Sequence, residues 1–155
     1  ASPIETMEAS AWDDLMRCNV RSMFLVSKHA IPELRKTRGA IINLGSTFGV
    51  VGAGGSAGYA VTKAAAVNFS KSLAVELAPD GIRVNALCPG GTDTEFLRGW
   101  FESTGDAAGT EEWLVGDHPL GRLGLPHEQA QAALFLAFRV RMEGAKAPTY
   151  RQLSA

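Results

Sequence analysis

At 155 residues, 46% hydrophobic and 20% charged, the chain has the composition of one soluble globular domain large enough to bury a core. Its 15 Lys and Arg balance 16 Asp and Glu to a net charge of −1, which gives no electrostatic case for nucleic acid or an acidic membrane surface. No apolar run approaches a membrane span, no basic-then-apolar leader opens the sequence, and Cys18 and Cys88 are too few for a disulfide framework, so a reducing, cytoplasmic setting is expected.

Residues 1–9, with Pro3 and little periodicity, read as a loop feeding a helix. Ser10 is a plausible N-cap, with Asp13 and Asp14 in the first turn where the helix dipole favours negative charge. Leu15, Val20, Phe24 and Leu25 recur at roughly helical spacing to about His29, Pro32 should bend or end the helix, and Gly39 closes the segment. Asn19 sits mid-helix, where an amide competes for backbone hydrogen bonds; from spacing alone it is a tolerated polar residue on a helix flank.

Residues 40–46 are mostly apolar and alternate poorly, as a strand buried on both faces of a parallel sheet should. That run delivers Ser46 at its end. A glycine-rich loop follows, then a helix over 58–78 in which Ala64, Ala65 and Ala66 allow close approach and Phe69, Leu73 and Leu77 share a stripe. Pro79-Asp80-Gly81 stops it. Ile82 to Cys88 is a second β-rich run, and strand, helix, strand of this length predicts a right-handed parallel crossover. Beyond Pro89 the text becomes irregular. A short helical stretch covers 95–102, residues 103–109 are poor in large apolar side chains, and a last helix runs from His127 to about Phe138.

The chemistry gathers between Ser46 and Lys63. Tyr59 and Lys63, four apart on a helix, share a face, so the ammonium can lie beside the phenol and favour its ionised form. A free phenol, with a pKa near 10, is a poor base at neutral pH; lowering it makes acid–base work efficient. Ser46, from the strand end, could hold a substrate oxygen against the Tyr59 hydroxyl. Other patterns carry less. Gly52-Ala-Gly54-Gly-Ser-Ala57 fits the relaxed dinucleotide fingerprint, with Glu76 downstream, but Ser46 to Val51 intervene after the strand, and a flexible loop beside the substrate fits the spacing better. His29, His118 and His127 lack metal-ligand spacing, so no metal site is expected. Gly45-Ser46-Thr47 lacks a nucleophile elbow. Asp13 with Asp14 and Glu111 with Glu112 read as solvated surface, and Cys18 and Cys88 as small buried residues.

Ser46, Tyr59 thirteen residues later, Lys63 four beyond, Arg83-Val-Asn-Ala-Leu-Cys-Pro89-Gly90 with Thr94, Asn19 within Trp12-Asp-Asp-Leu-Met-Arg-Cys-Asn-Val, and His118-Pro-Leu-Gly-Arg-Leu-Gly-Leu-Pro126 together resemble the short-chain dehydrogenase/reductase family. The resemblance covers about residues 8–138. It implies an α/β fold, part of a Rossmann-type doubly wound parallel sheet lacking the N-terminal strands and the last strand. Residues 1–138 would be the C-terminal portion of one NAD(P)-binding domain. Residues 139–155 depart from the family and are expected to be an atypical tail, with disorder as one reading.

By resemblance, Asn19, Ser46, Tyr59 and Lys63 are the catalytic set, Asn19 marking a helix break where a water connects the lysine to solvent. Tyr59, Lys63, Pro89, Gly90, Thr92 and Thr94 would bind NAD or NADP, the choice not being readable. Phe96, Leu97, Trp100, Phe101, Trp113 and Leu114 fall where the family has a mobile lid over the substrate; a satellite cluster packed on the sheet edge is the alternative. The lid reading implies a hydrophobic or ring-bearing alcohol or ketone. The resemblance also implies a homodimer or homotetramer through helices 10–30 and 58–78. The competing expectations are a catalytically inactive module that self-associates through those helices and a truncated product with no function.

Overall fold

The computed structural model describes residues 3–138, so the expectations for the 139–155 tail lie outside the described residues. Chain order is α1 (Ala9–Leu15), a π-helical turn (Met16–Arg21), α2 (Ser22–Thr37), β1 (Ala40–Leu44), α3 (Ala57–Leu77), β2 (Arg83–Leu87), α4 (Glu95–Ser103), α5 (Ala107–Gly116) and α6 (Pro126–Ala137). The two strands pair in parallel, Ala40 opposite Arg83 through Leu44 opposite Leu87, with α3 as the crossover. This is the α/β arrangement the strand, helix, strand pattern predicts.

The main core lies where α2 and α3 cover the sheet. Leu73, Leu77, Ile82 and Val84 are buried together, and Ile31, Leu34, Ile41, Phe69 and Ala74 pack around them. A polar pin crosses this layer: the Asn43 amide donates to the Ser70 hydroxyl at 2.8 Å, and Ser70 donates to the Ala66 carbonyl at 2.8 Å. Both side chains are buried, so breaking either bond strands a polar group, and the rotation of α3 over β1 is fixed. A second cluster, Phe101, Leu114 and Leu123 with Leu97, Trp100 and Val115, joins α4 and α5.

Several local expectations are corrected. The first helix starts at Ala9 with Glu8 at the N-cap position and no side-chain cap bond, so Ser10 lies inside the first turn and does not cap. Nor is the helix regular to His29: it widens over Met16–Arg21. Pro32 neither bends nor ends α2, which continues to Thr37; the residue is exposed, where water can take the carbonyl that a proline leaves without a donor. The left-handed residue that ends α2 is Arg38 (φ 52°), not Gly39, whose missing side chain instead makes room for Leu34. β1 is not buried on both faces, Leu44 being 59% exposed. Residues 103–109 are not wholly irregular: α5 begins at Ala107 because Asp106 caps it, accepting the Gly109 N–H at 3.0 Å. Cys18 is exposed, not buried.

Candidate active site

In a parallel pair both strands point their carboxyl ends the same way, and that edge is where open α/β sheets place ligands. Here the two exits stay paired past the strands. Gly45 N–H donates to the Leu87 carbonyl at 2.7 Å and Thr47 N–H to the Pro89 carbonyl at 3.0 Å. The segment carrying Ser46 and the segment opening with Pro89 and Gly90 are therefore side by side.

Ser46 caps a short 3-10 turn, Thr47–Gly49, its Oγ accepting the Phe48 N–H at 3.2 Å. That turn sits on the backbone of α3: a side-chain carbon at Gly49 would lie 2.6 Å from the Lys63 carbonyl carbon and 2.8 Å from the Ala64 nitrogen. Only glycine allows such an approach. The consequence is that buried Ser46 faces the helix at the level of Tyr59 and Lys63.

Tyr59 and Lys63 are both half-buried. Lys63 Nζ lies 5.5 Å from the Tyr59 ring centroid and donates to the Leu44 carbonyl at 2.9 Å, so the last residue of β1 orients the ammonium. Burial pushes the Tyr59 phenol up, and the adjacent Ser46 hydroxyl opposes it. The expectation that the neighbouring cation holds the phenol below its ordinary value is thus not met in this arrangement: desolvation of the charged form outweighs the stabilising contacts. Burial likewise pushes the Lys63 ammonium down, with Cys88 nearby opposing.

Asn19 lies in the widened turn and donates to the Thr62 hydroxyl at 3.0 Å; Thr62, fully buried, donates to the Tyr59 carbonyl at 2.7 Å. This chain ties the π-helical turn to the helix that carries the phenol. Sequence reasoning passed over Thr62. Its signal was present, because Gly58, Thr62, Ala66 and Ser70 form a stripe of small residues four apart, and all four are buried.

The remaining candidates lie past β2. Thr92 Oγ1 donates to the Gly90 carbonyl at 3.3 Å, Thr94 Oγ1 donates to the Thr92 carbonyl at 3.3 Å, and Thr94 also caps α4 by accepting the Leu97 N–H at 3.2 Å. Asp93, the carboxylate between them, is held by Arg98 at 2.7 Å. Both threonine hydroxyls are thus engaged with backbone carbonyls of their own loop.

Beside this constellation a groove of about 280 Å³ is lined by Phe48, Gly54, Gly55, Trp100, Thr104 and Trp113, among others. Ser46, Tyr59 and Lys63 are not among its lining residues. The glycine-rich loop thus faces the aromatic cluster of α4 and α5.

Comparisons with known proteins bear on the family and the fold. The family model described as enoyl-(acyl carrier protein) reductase matches residues 1–141. Cyclopentanol dehydrogenase of Comamonas sp. (strain NCIMB 9872) is 39% identical over 135 residues, 86% of this chain and 52% of that protein. The 3-oxoacyl-(acyl-carrier-protein) reductase FabG of Escherichia coli (strain K12) is 41% identical over 132 residues, 84% of this chain and 52% of that protein. Among solved structures, ElxO with NADP bound superposes with a TM-score of 0.80 at 28% identity, covering 91% of this chain and 56% of that one. The chain spans about half the length of the curated relatives it matches.

Proposed function

The chain belongs to the short-chain dehydrogenase/reductase family, and on that premise we propose that it serves an oxidoreductase moving hydride between NAD or NADP and a secondary alcohol or ketone. The observation that carries the reading is the Tyr59 phenol beside the Ser46 hydroxyl, with the Lys63 ammonium 5.5 Å from the ring, at the carboxyl edge of the parallel strands.

The nicotinamide ring, when bound, supplies or accepts the hydride. Everything else falls to the chain's own side chains. Ser46 donates a hydrogen bond to the substrate oxygen and holds it at the phenol. Tyr59 gives its proton to that oxygen in reduction and takes one in oxidation. The protonated phenol that burial favours is the form reduction needs. Lys63, fixed at one end by the Leu44 carbonyl, keeps further N–H bonds for a ribose hydroxyl. Asn19, in its widened turn, admits the water through which Lys63 exchanges protons with solvent. Pro89, Gly90, Thr92 and Thr94 wall the nicotinamide and hydrogen-bond its amide. Trp100 and Trp113 in the adjoining groove favour an apolar, ring-bearing substrate.

Tyr59→Phe should reduce turnover about a hundredfold or more while leaving NADH or NADPH affinity within about twofold. Near-normal turnover in that variant sinks the assignment.

Self-association is the second reading. Phe24 and Val26 on α2 and Val61 and Val75 on α3 are exposed apolar side chains on the helices expected to pair between copies. Sedimentation should then show a dimer or tetramer; a monomer at micromolar concentration rules it out.

A further inference from the structure

We propose that His118 is a positioning residue: its Nε2 accepts the Gly91 N–H and thereby holds the Gly90–Thr94 loop in register with α5. The proposal deepens the hydride-transfer reading and rests on it for the loop's role toward the nicotinamide.

The ring is bonded on both sides. Gly91 N–H lies 2.9 Å from Nε2, and Nδ1 lies 2.7 Å from the Leu114 carbonyl. A carbonyl can only accept and a backbone N–H can only donate, so the two partners select the tautomer with its proton on Nδ1. The Leu114 carbonyl belongs to the last turn of α5, where carbonyls lack helical partners, so the same side chain satisfies a helix end.

The fit extends past the hydrogen bonds. A side-chain carbon at Gly90 would lie 2.7 Å from His118 Nε2, and one at Gly91 would lie 3.2 Å from its Cε1 and 2.8 Å from Leu114 Cδ2. Neither glycine has a left-handed backbone, so conformation does not demand them. At Gly90 the imidazole occupies the space a side chain would enter, and at Gly91 Leu114, Leu123 and the imidazole fill it together. On the other side the Gly91 carbonyl accepts the Gly124 N–H at 2.9 Å, and Gly124 in turn accepts the Asp93 N–H at 2.9 Å. Gly91 is clamped from both directions, and Thr92 and Thr94 hang from that clamp.

Two substitutions separate the two bonds of the ring. His118→Gln places an amide oxygen where Nε2 stood and can still accept from Gly91. His118→Asn reaches only the Nδ1 position, so it can serve Leu114 and not Gly91. With NADH and NADPH as probes, Asn should weaken nucleotide affinity and raise the nucleotide KM about tenfold, with kcat changed less than about twofold. It should also speed exchange of the Gly91 amide hydrogen about tenfold, the scale set by one net hydrogen bond. Gln should stay within about twofold of the parent on all four. The reverse order, Gln impaired and Asn normal, assigns the residue to the α5 end alone and overturns the proposal. Equal loss in both variants overturns it too, because the packing of the ring would then matter and not its acceptor. If the parent chain responds to neither nucleotide, the hydride-transfer reading fails, while the order of Gly91 exchange rates still decides whether His118 holds the loop.

Discussion

The two apolar clusters of this chain are built on different plans. The main core draws Leu73 and Leu77 from α3, Ile82 and Val84 from β2 and its approach, and Ile31 and Leu34 from α2, and it is crossed by the buried Asn43 to Ser70 bond. The α4–α5 cluster uses one buried side chain from each helix, Phe101 and Leu114, plus Leu123, and no strand of the sheet contributes to it. Backbone joints between the two regions gather at Gly91, through His118 and Gly124. The chemical groups stand on the first plan and the aromatic wall of the groove on the second. Tyr59 and Lys63 thus stand on the helix that the sheet core holds, and the aromatic groove beside the glycine-rich loop stands on the second cluster.

Cutting into each cluster tests whether the two regions are separate units. Leu77 is 1% exposed, and Leu77→Ala should cost about 2–5 kcal/mol of stability in urea denaturation, with hydrogen-exchange protection falling in β1, β2 and α3 together. Leu114, 6% exposed, should cost less when cut to Ala, about 2 kcal/mol, since its surroundings can close in on the gap. The loss of protection should be confined to α4, α5 and the loop at Gly91. If Leu114→Ala loosens β1 and β2 as much as Leu77→Ala does, the two regions are one cooperative unit and the comparison is wrong.

How well the sequence could be read follows the same division. Tyr59 and Lys63 were legible because four residues on a helix fix a shared face whatever the surroundings, and Ser46 because a strand end is marked locally. Pairing of the two strands followed from the length of the crossover. What could not be read depended on contacts across the fold. Lys63 finds the Leu44 carbonyl and Tyr59 is desolvated only after α3 docks on β1, so the fold and not the spacing decides the direction in which the phenol shifts. Thr62 resembles any helix residue until Asn19 meets it. His118 has no metal spacing, and its partners are two backbone groups, which leave no trace in a motif. The start of α5 was missed because its first turn is small and polar, although Asp106 followed by a glycine three residues later is a capping arrangement with a physical rationale.

The smallest expected effect lies at the outer edge of the second region, where Glu128 ties the Gly124 segment to α6. Its carboxylate takes two bonds from Arg122, at 3.0 and 2.7 Å, and accepts the Leu125 N–H at 2.7 Å. The Arg122 guanidinium first, and the Leu125 N–H second, pull the Glu128 carboxyl from 4.5 down to about 2. A carboxyl whose folded value is lowered stabilises the fold above its unfolded value and loses that contribution as it takes up a proton. The contribution is therefore complete above about pH 4.5 and disappears as pH falls toward 2. The parent and Glu128→Gln should differ slightly in stability at pH 6, and the difference should close as pH falls toward 2. Because the pair is at the surface, added salt at pH 6 should narrow the same gap. A gap that persists unchanged at pH 2 would mean that the Gln variant disturbs packing at the α6 entry. The joint between Gly124 and α6 would then depend on shape, as the first region does, and not on charge.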